Sequence, residues 1–118
     1  MKNQAAKVQF RLRIGKGELW AIGPGKVALL EAIAATGSIS AAARKLDMSY
    51  RRAWNLMDEI NRGLAKPAVR TLPGGASGGG ALLTPVGLRI IELYRRVERD
   101  ARRKLDPDLS ALIKLLSA

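Results

Sequence analysis

Cysteine and histidine are both missing from the 118 residues. No disulfide framework, thiolate zinc site, imidazole metal site or histidine-based catalytic dyad can therefore be built. Neither a metal nor a cofactor is expected. Aromatic side chains make up only 4% of the chain, so a core must come from leucine, isoleucine, valine and alanine. Carboxylates are scarce as well, with 10 Asp and Glu against 21 Lys and Arg. No carboxylate pair stands in a recognisable site, and no enzymatic activity is expected. Nowhere does an apolar run approach the ~20 residues that span a bilayer. Met1–Lys7 leads into an alternating pattern rather than the apolar stretch of a signal peptide. The expectation is a soluble, cytoplasmic protein with no membrane partner.

What is present points elsewhere. A net charge of +11 on one small domain favours a polyanionic partner. The length suits a single domain spanning residues 1–118. Val8, Phe10, Leu12 and Ile14 alternate with Gln9, Arg11 and Arg13, the period of a half-buried strand. Gly15-Lys16-Gly17-Glu18 supplies a turn, and Leu19–Ile22 returns, predicting a β-hairpin over 8–22.

From Gly25 the period becomes helical. Val27, Leu30, Ile33 and Ala34 mark a first helix ending at Gly37. Ser38 caps a short second helix with Ile39, Ala42, Ala43 and Leu46 inward, and Asp47-Met48 makes a tight turn. Ser49 caps a third helix whose buried stripe is Ala53, Met57, Ile60 and Leu64. These helices fill 25–66. Ala68–Leu72 and Ala81–Leu83 are extended and flank Pro73–Gly80, which is too glycine-rich for regular structure. The pair reads as a wing over 68–83. Thr84-Pro85 opens a long helix running to about Leu105. Pro107 is expected to interrupt it, with Asp106 capping a last segment through Leu116. The fold class is mainly α with a small β component: a winged helix-turn-helix with an N-terminal β-hairpin and C-terminal helices over 85–116.

Two helices joined by a tight turn suit the DNA major groove, where the second presents its N-terminal side chains to base edges. Tyr50, Arg51, Arg52 and Asn55 are the candidate readers. Arginine forks onto the two acceptors of guanine and asparagine onto adenine, although either arginine serves equally well as a phosphate clamp. Ser38 and Ser49 are helix caps first, and each leaves helix-terminal amides for a phosphate. Arg70, Gly78 and Gly79 are the candidates on the wing, whose tip carries no Lys or Arg and should contribute less than the helix. Trp54 is expected to close the core, the alternative being a ring resting on the sugar–phosphate backbone. Arg95, Arg96, Arg99, Arg102, Arg103 and Lys104 read as the solvated face of the long helix, the alternative being a second phosphate-binding stripe. Pro73–Gly80 lacks the order of a phosphate-binding P-loop.

The segments Gly37–Ala43, Ser49–Trp54 and Gly78–Pro85 together resemble the N-terminal DNA-binding domain of ModE-type molybdate-responsive transcription regulators, a winged helix of the LysR-like kind. The likeness runs from about Leu12 to Leu105. It implies a homodimer paired through the long C-terminal helix and the N-terminal strands, with double-stranded DNA recognised by Ser49–Asn61 and the wing alongside. Full-length relatives continue into molybdate-binding modules, whereas this chain stops at Ala118, so no bound molybdate is expected. The function expected is sequence-specific regulation of transcription, of molybdenum-related genes by the resemblance. The alternatives are a non-specific architectural DNA-binding protein and a protein-interaction module of a larger regulator.

Overall fold

The computed structural model describes residues 5–73 and 80–117. Two short antiparallel ribbons flank a helical core. In the first, β1 (Ile14–Lys16) pairs with β2 (Leu19–Ile22) around a Gly17-Glu18 turn. The strand expected from Val8 is thus shorter and later. Val8, Phe10 and Leu12 are nonetheless half-buried and Gln9, Arg11 and Arg13 exposed. Alternation reports one-sided burial, not a ladder, and here the stretch lies against a helix. The Tyr94 hydroxyl donates to the Leu12 carbonyl at 3.0 Å, and the Arg102 guanidinium donates to the Val8 carbonyl at 2.8 Å.

Helix α1 (Pro24–Thr36) begins with proline in its first turn and stops at Gly37. That glycine adopts φ 76, a left-handed conformation costly for residues with a Cβ, and its N–H donates to the Ile33 carbonyl at 2.8 Å. Val27, Leu29, Leu30, Ala32 and Ile33 are buried, so the inward face is wider than expected and Ala34 lies outside it. Helix α2 (Ile39–Lys45) buries Ile39, Ala42 and Ala43. The turn then passes through Asp47 at φ 56, a conformation aspartate tolerates better than most residues. The Met48 N–H closes back on the Ala43 carbonyl at 3.0 Å. Helix α3 (Tyr50–Arg62) buries Ala53, Met57 and Ile60. Leu64 falls beyond its end and packs half-buried on the same core.

The second ribbon is the wing: β3 (Val69–Thr71) against β4 (Ala81–Leu83), in register Val69↔Leu83, Arg70↔Leu82 and Thr71↔Ala81. The Ala81 N–H donates to the Gly37 carbonyl at 2.9 Å, tying the wing to the α1–α2 corner. Helix α4 (Pro85–Lys114) follows without a break. Pro107 therefore does not end it, contrary to expectation. A proline removes one ladder bond, but residues 102–108 are all exposed, so the freed carbonyl of Arg103 is open to water.

Thr84 is buried and joins the start of α4 to the wing. Its hydroxyl donates to the Pro67 carbonyl at 2.7 Å and accepts from the Gly87 N–H at 3.2 Å. One turn in, a Cβ on Gly87 would run into the backbone carbonyl of Ala68. Alanine for glycine inside a helix ordinarily stabilises by about 1 kcal/mol. Here Gly87→Ala should instead destabilise by about 2 kcal/mol, because α4 must retreat from the wing. Urea denaturation checks the sign: a midpoint at or above wild type contradicts this packing.

The run on α4 is only partly a solvated face. Arg95 reaches Glu31 on α1 through two hydrogen bonds, Nε–Oε2 at 3.0 Å and Nη2–Oε1 at 2.5 Å, and bonds Glu98 at 2.6 Å. The two carboxylates hold its guanidinium pKa above the ordinary arginine value. Arg95 is thus a fastener between α1 and α4. Arg89 and Arg96 both pair with Glu92.

Candidate nucleic-acid interface

Ser49 starts α3 from extended backbone (φ −69, ψ 154), and its hydroxyl accepts from the Arg52 N–H at 3.0 Å. Ser38 does the same for α2, accepting from the Ala41 N–H at 2.9 Å. Both serine oxygens are committed as caps, which holds the two helix starts in place. A helix turning 100° per residue puts Ala53, Met57 and Ile60 on one side and Arg51, Asn55, Asp58 and Arg62 opposite. Arg51, Arg52 and Asn55 are exposed and line one surface concavity with Ser49, Leu56 and Glu59. The structure therefore gathers four of the expected site residues, Ser49, Arg51, Arg52 and Asn55, around one hollow.

Ser38 is half-buried at the start of α2 and does not line that hollow. Arg70 is exposed on β3, facing Leu82 across the ribbon. Gly78 and Gly79 lie outside the described residues. Tyr50 is 54% exposed on the flank of α3. Trp54 does not close the core. It is 38% exposed, and its indole N–H donates to the Tyr50 hydroxyl at 2.8 Å. The core positions its ring was expected to occupy are filled by Ala53, Met57 and Ile60, and Trp54 stands about a quarter-turn round the helix from them.

Further residues set the geometry. Asn61, in the last turn of α3, donates to the Val69 carbonyl at 3.0 Å. Its Oδ1 accepts from the Ala68 and Val69 N–H groups at 2.8 and 3.2 Å. One side chain thus replaces a strand for the first residues of the wing and fixes it to α3. Lys26, at the start of α1, donates to the Trp20 carbonyl at 2.6 Å and pairs with Glu59 at 3.0 Å. That contact neutralises a carboxylate in the concavity. Asp58 holds Arg62 at 2.9 Å on the exposed face. Among the described residues, no group of three or more metal-ligating side chains forms, and no single helix is long and apolar enough to cross a membrane.

Helices α1 to α3, with an asparagine-pinned ribbon following, make a winged helix-turn-helix. The crystal structure of a CbnR_DBD–DNA complex shares this fold at TM-score 0.57. The match covers 75% of this chain and 95% of that one at 24% identity. No family model matches the chain. The molybdenum-pterin-binding protein MopB of Rhodobacter capsulatus is 48% identical over 84 residues, 71% of this chain and 31% of MopB. The chain is homologous to the ModE-type regulators. The DNA-binding transcriptional dual regulator ModE of Escherichia coli K12 is 37% identical over 83 residues, 70% of this chain and 32% of its own. The transcriptional regulator ModE of Yersinia pestis is 38% identical over 98 residues, 80% of this chain and 37% of its own. The chain thus spans about a third of the length of the ModE-type relatives it matches.

Asn61, which ties α3 to the wing, is not evident from the sequence. Its signal was weak, a polar residue on the flank of the buried stripe just before the chain turns extended. Lys26–Glu59 joins residues far apart in sequence, and no spacing announces it.

Proposed function

We propose that this chain is a sequence-specific DNA-binding domain of a transcription regulator, working as a homodimer in the cytoplasm with molybdenum-related genes as its targets. The observation that carries the reading is the exposed face of α3. Arg51, Arg52 and Asn55 stand there beside a capped helix start, opposite the core, with the wing pinned alongside by Asn61. The names of the relatives, molybdenum-pterin-binding and molybdenum transport proteins and ModE regulators, support the class of genes. Within the single domain at 1–118, α3 enters the major groove and reads bases. Arg70 and the tip glycines Gly78 and Gly79 follow the backbone, and Ser38 and Ser49 hold helix termini toward phosphates.

The dimer rests on α4. Ile90 and Tyr94 are buried against the core, and the same side of the helix continues as Leu105, Leu109 and Leu112, with Leu116 just beyond the helix end. Leu105, Leu112 and Leu116 are exposed, with nothing among the described residues covering them. A second copy of the stripe covers both.

Replacing a base-reading side chain changes which sequence is preferred, whereas replacing a phosphate clamp weakens all sequences alike. Arg52→Ala and Asn55→Ala should each cost about 1–3 kcal/mol at one operator position and relax specificity there. Arg99→Ala, on the exposed side of α4, should leave the preference untouched. Binding of each variant to a panel of single-base operator changes tests this. Uniform weakening by both α3 variants removes their reader assignment.

A further inference from the structure

Tyr50 and Trp54 are large, exposed and joined to each other on the helix proposed to enter DNA. They do not sit at the centre of its exposed face, which belongs to Arg51 and Asn55. At 100° per residue, Tyr50, Trp54 and Asn61 share one flank of α3, and Asn61 is the residue that holds the wing. The aromatic pair therefore borders the side of α3 where the wing begins. With α3 in one groove and the wing over the next, the sugar–phosphate strand between the grooves runs past this flank.

The hydrogen bond sets the chemistry. An indole N–H only donates, so the Tyr50 oxygen is the acceptor. The hydroxyl keeps its own proton, and among the described residues it has no acceptor. A phosphate oxygen only accepts. We propose that Tyr50 is a neutral phosphate donor set in place by Trp54, the pair clamping the DNA strand that passes between α3 and the wing. Trp54 acts here as a positioning residue. The proposal rests on the DNA-binding reading and adds what this flank does within it.

A neutral clamp leaves a signature that an arginine does not. It is indifferent to sequence, because phosphates carry no base identity. It also leaves the salt dependence alone, because a hydroxyl releases no counterion, whereas each lost cationic contact lowers the slope by about 1. The experiment measures binding of the whole chain to a long mixed-sequence duplex and to a duplex selected from a random pool, each over a range of salt. Y50F keeps the ring and loses the donor. It should weaken both duplexes by the same factor, about tenfold per bound protomer, with the slope unchanged. W54F keeps a ring and loses the N–H. It should reproduce that loss, and the double variant should bind no more weakly than either single one. All three should keep the wild-type melting midpoint. Wild-type affinity in W54F overturns the positioning role, and a loss confined to one duplex or a shallower salt slope overturns the neutral clamp. A wild-type chain that binds neither duplex refutes the DNA-binding reading itself, an outcome distinct from these.

Discussion

Raising the salt from roughly 50 to 200 mM should weaken DNA binding by about ten-thousandfold, a slope near −7 in log affinity against log salt. The expectation follows from where the positive charge is free to act. The chain carries +11 overall, but much of the cationic charge on α4 is already answered. Arg95 faces two carboxylates, and Arg89 and Arg96 share Glu92. By contrast, Arg44, Lys45, Arg51 and Arg70 are exposed on α2, α3 and the wing, with no ion pair among the described residues. About four phosphates per protomer, or eight per dimer, is what such a surface can neutralise. Fluorescence anisotropy over a salt series reads the slope directly. A value shallower than about −2 would mean that this basic surface serves some other partner.

Replacing Leu109 and Leu112 together by aspartate should separate the dimer and cost about 10²–10⁴ in affinity for a two-half-site duplex. Tethered half-sites gain that much from the raised effective concentration of the second. Leu112 is 61% exposed in the single chain, so the loss cannot come from its own core. Burying several leucines from each copy, at about 25 cal/mol for each Å² of apolar surface, amounts to several kcal/mol of association energy. Two buried carboxylates facing their symmetry mates remove it. The monomer's fold should survive, because the core lies among α1, α2, α3 and the first half of α4. Sedimentation at tens of micromolar separates the outcomes: a double variant that still sediments as a dimer defeats the assignment of α4 as the seam.

The helical hairpin was readable because its signals are local. A serine cap, an alanine crossing and a period of 3.6 each act over one or two turns, so Ser38, Ser49, Ala42, Ala53 and Met57 fell where their chemistry places them. The errors have a common physical origin in partners distant along the chain. Val8–Leu12 alternates because it lies on α4, 82 residues away at the Leu12–Tyr94 bond, and no window of neighbours distinguishes that from a strand. Pro107 breaks a helix when the carbonyl it frees is buried, and exposure along 102–108 is not visible in the residue types. Trp54 lies outside the core because the buried stripe of α3 is filled by Ala53, Met57 and Ile60, which hold the inward phase. The interface likewise divides. The exposure of Arg51, Arg52 and Asn55 on one side of α3 follows from a helix start and its period, while the contacts of Asn61, Lys26 and Glu59 depend on the wing and α1 being brought to α3.

The central claim is that this domain reads base sequence, and selection from a pool of random duplexes at stated salt tests it most directly. The account predicts enrichment of one two-fold symmetric site, with half-site centres one DNA turn, about 34–36 Å, or a multiple of it apart. The enriched site should bind at least ~10³-fold more tightly than the starting pool. A pool that emerges from repeated rounds with no preferred sequence, bound as tightly as at the start, would contradict the claim and leave a protein that coats DNA without reading it.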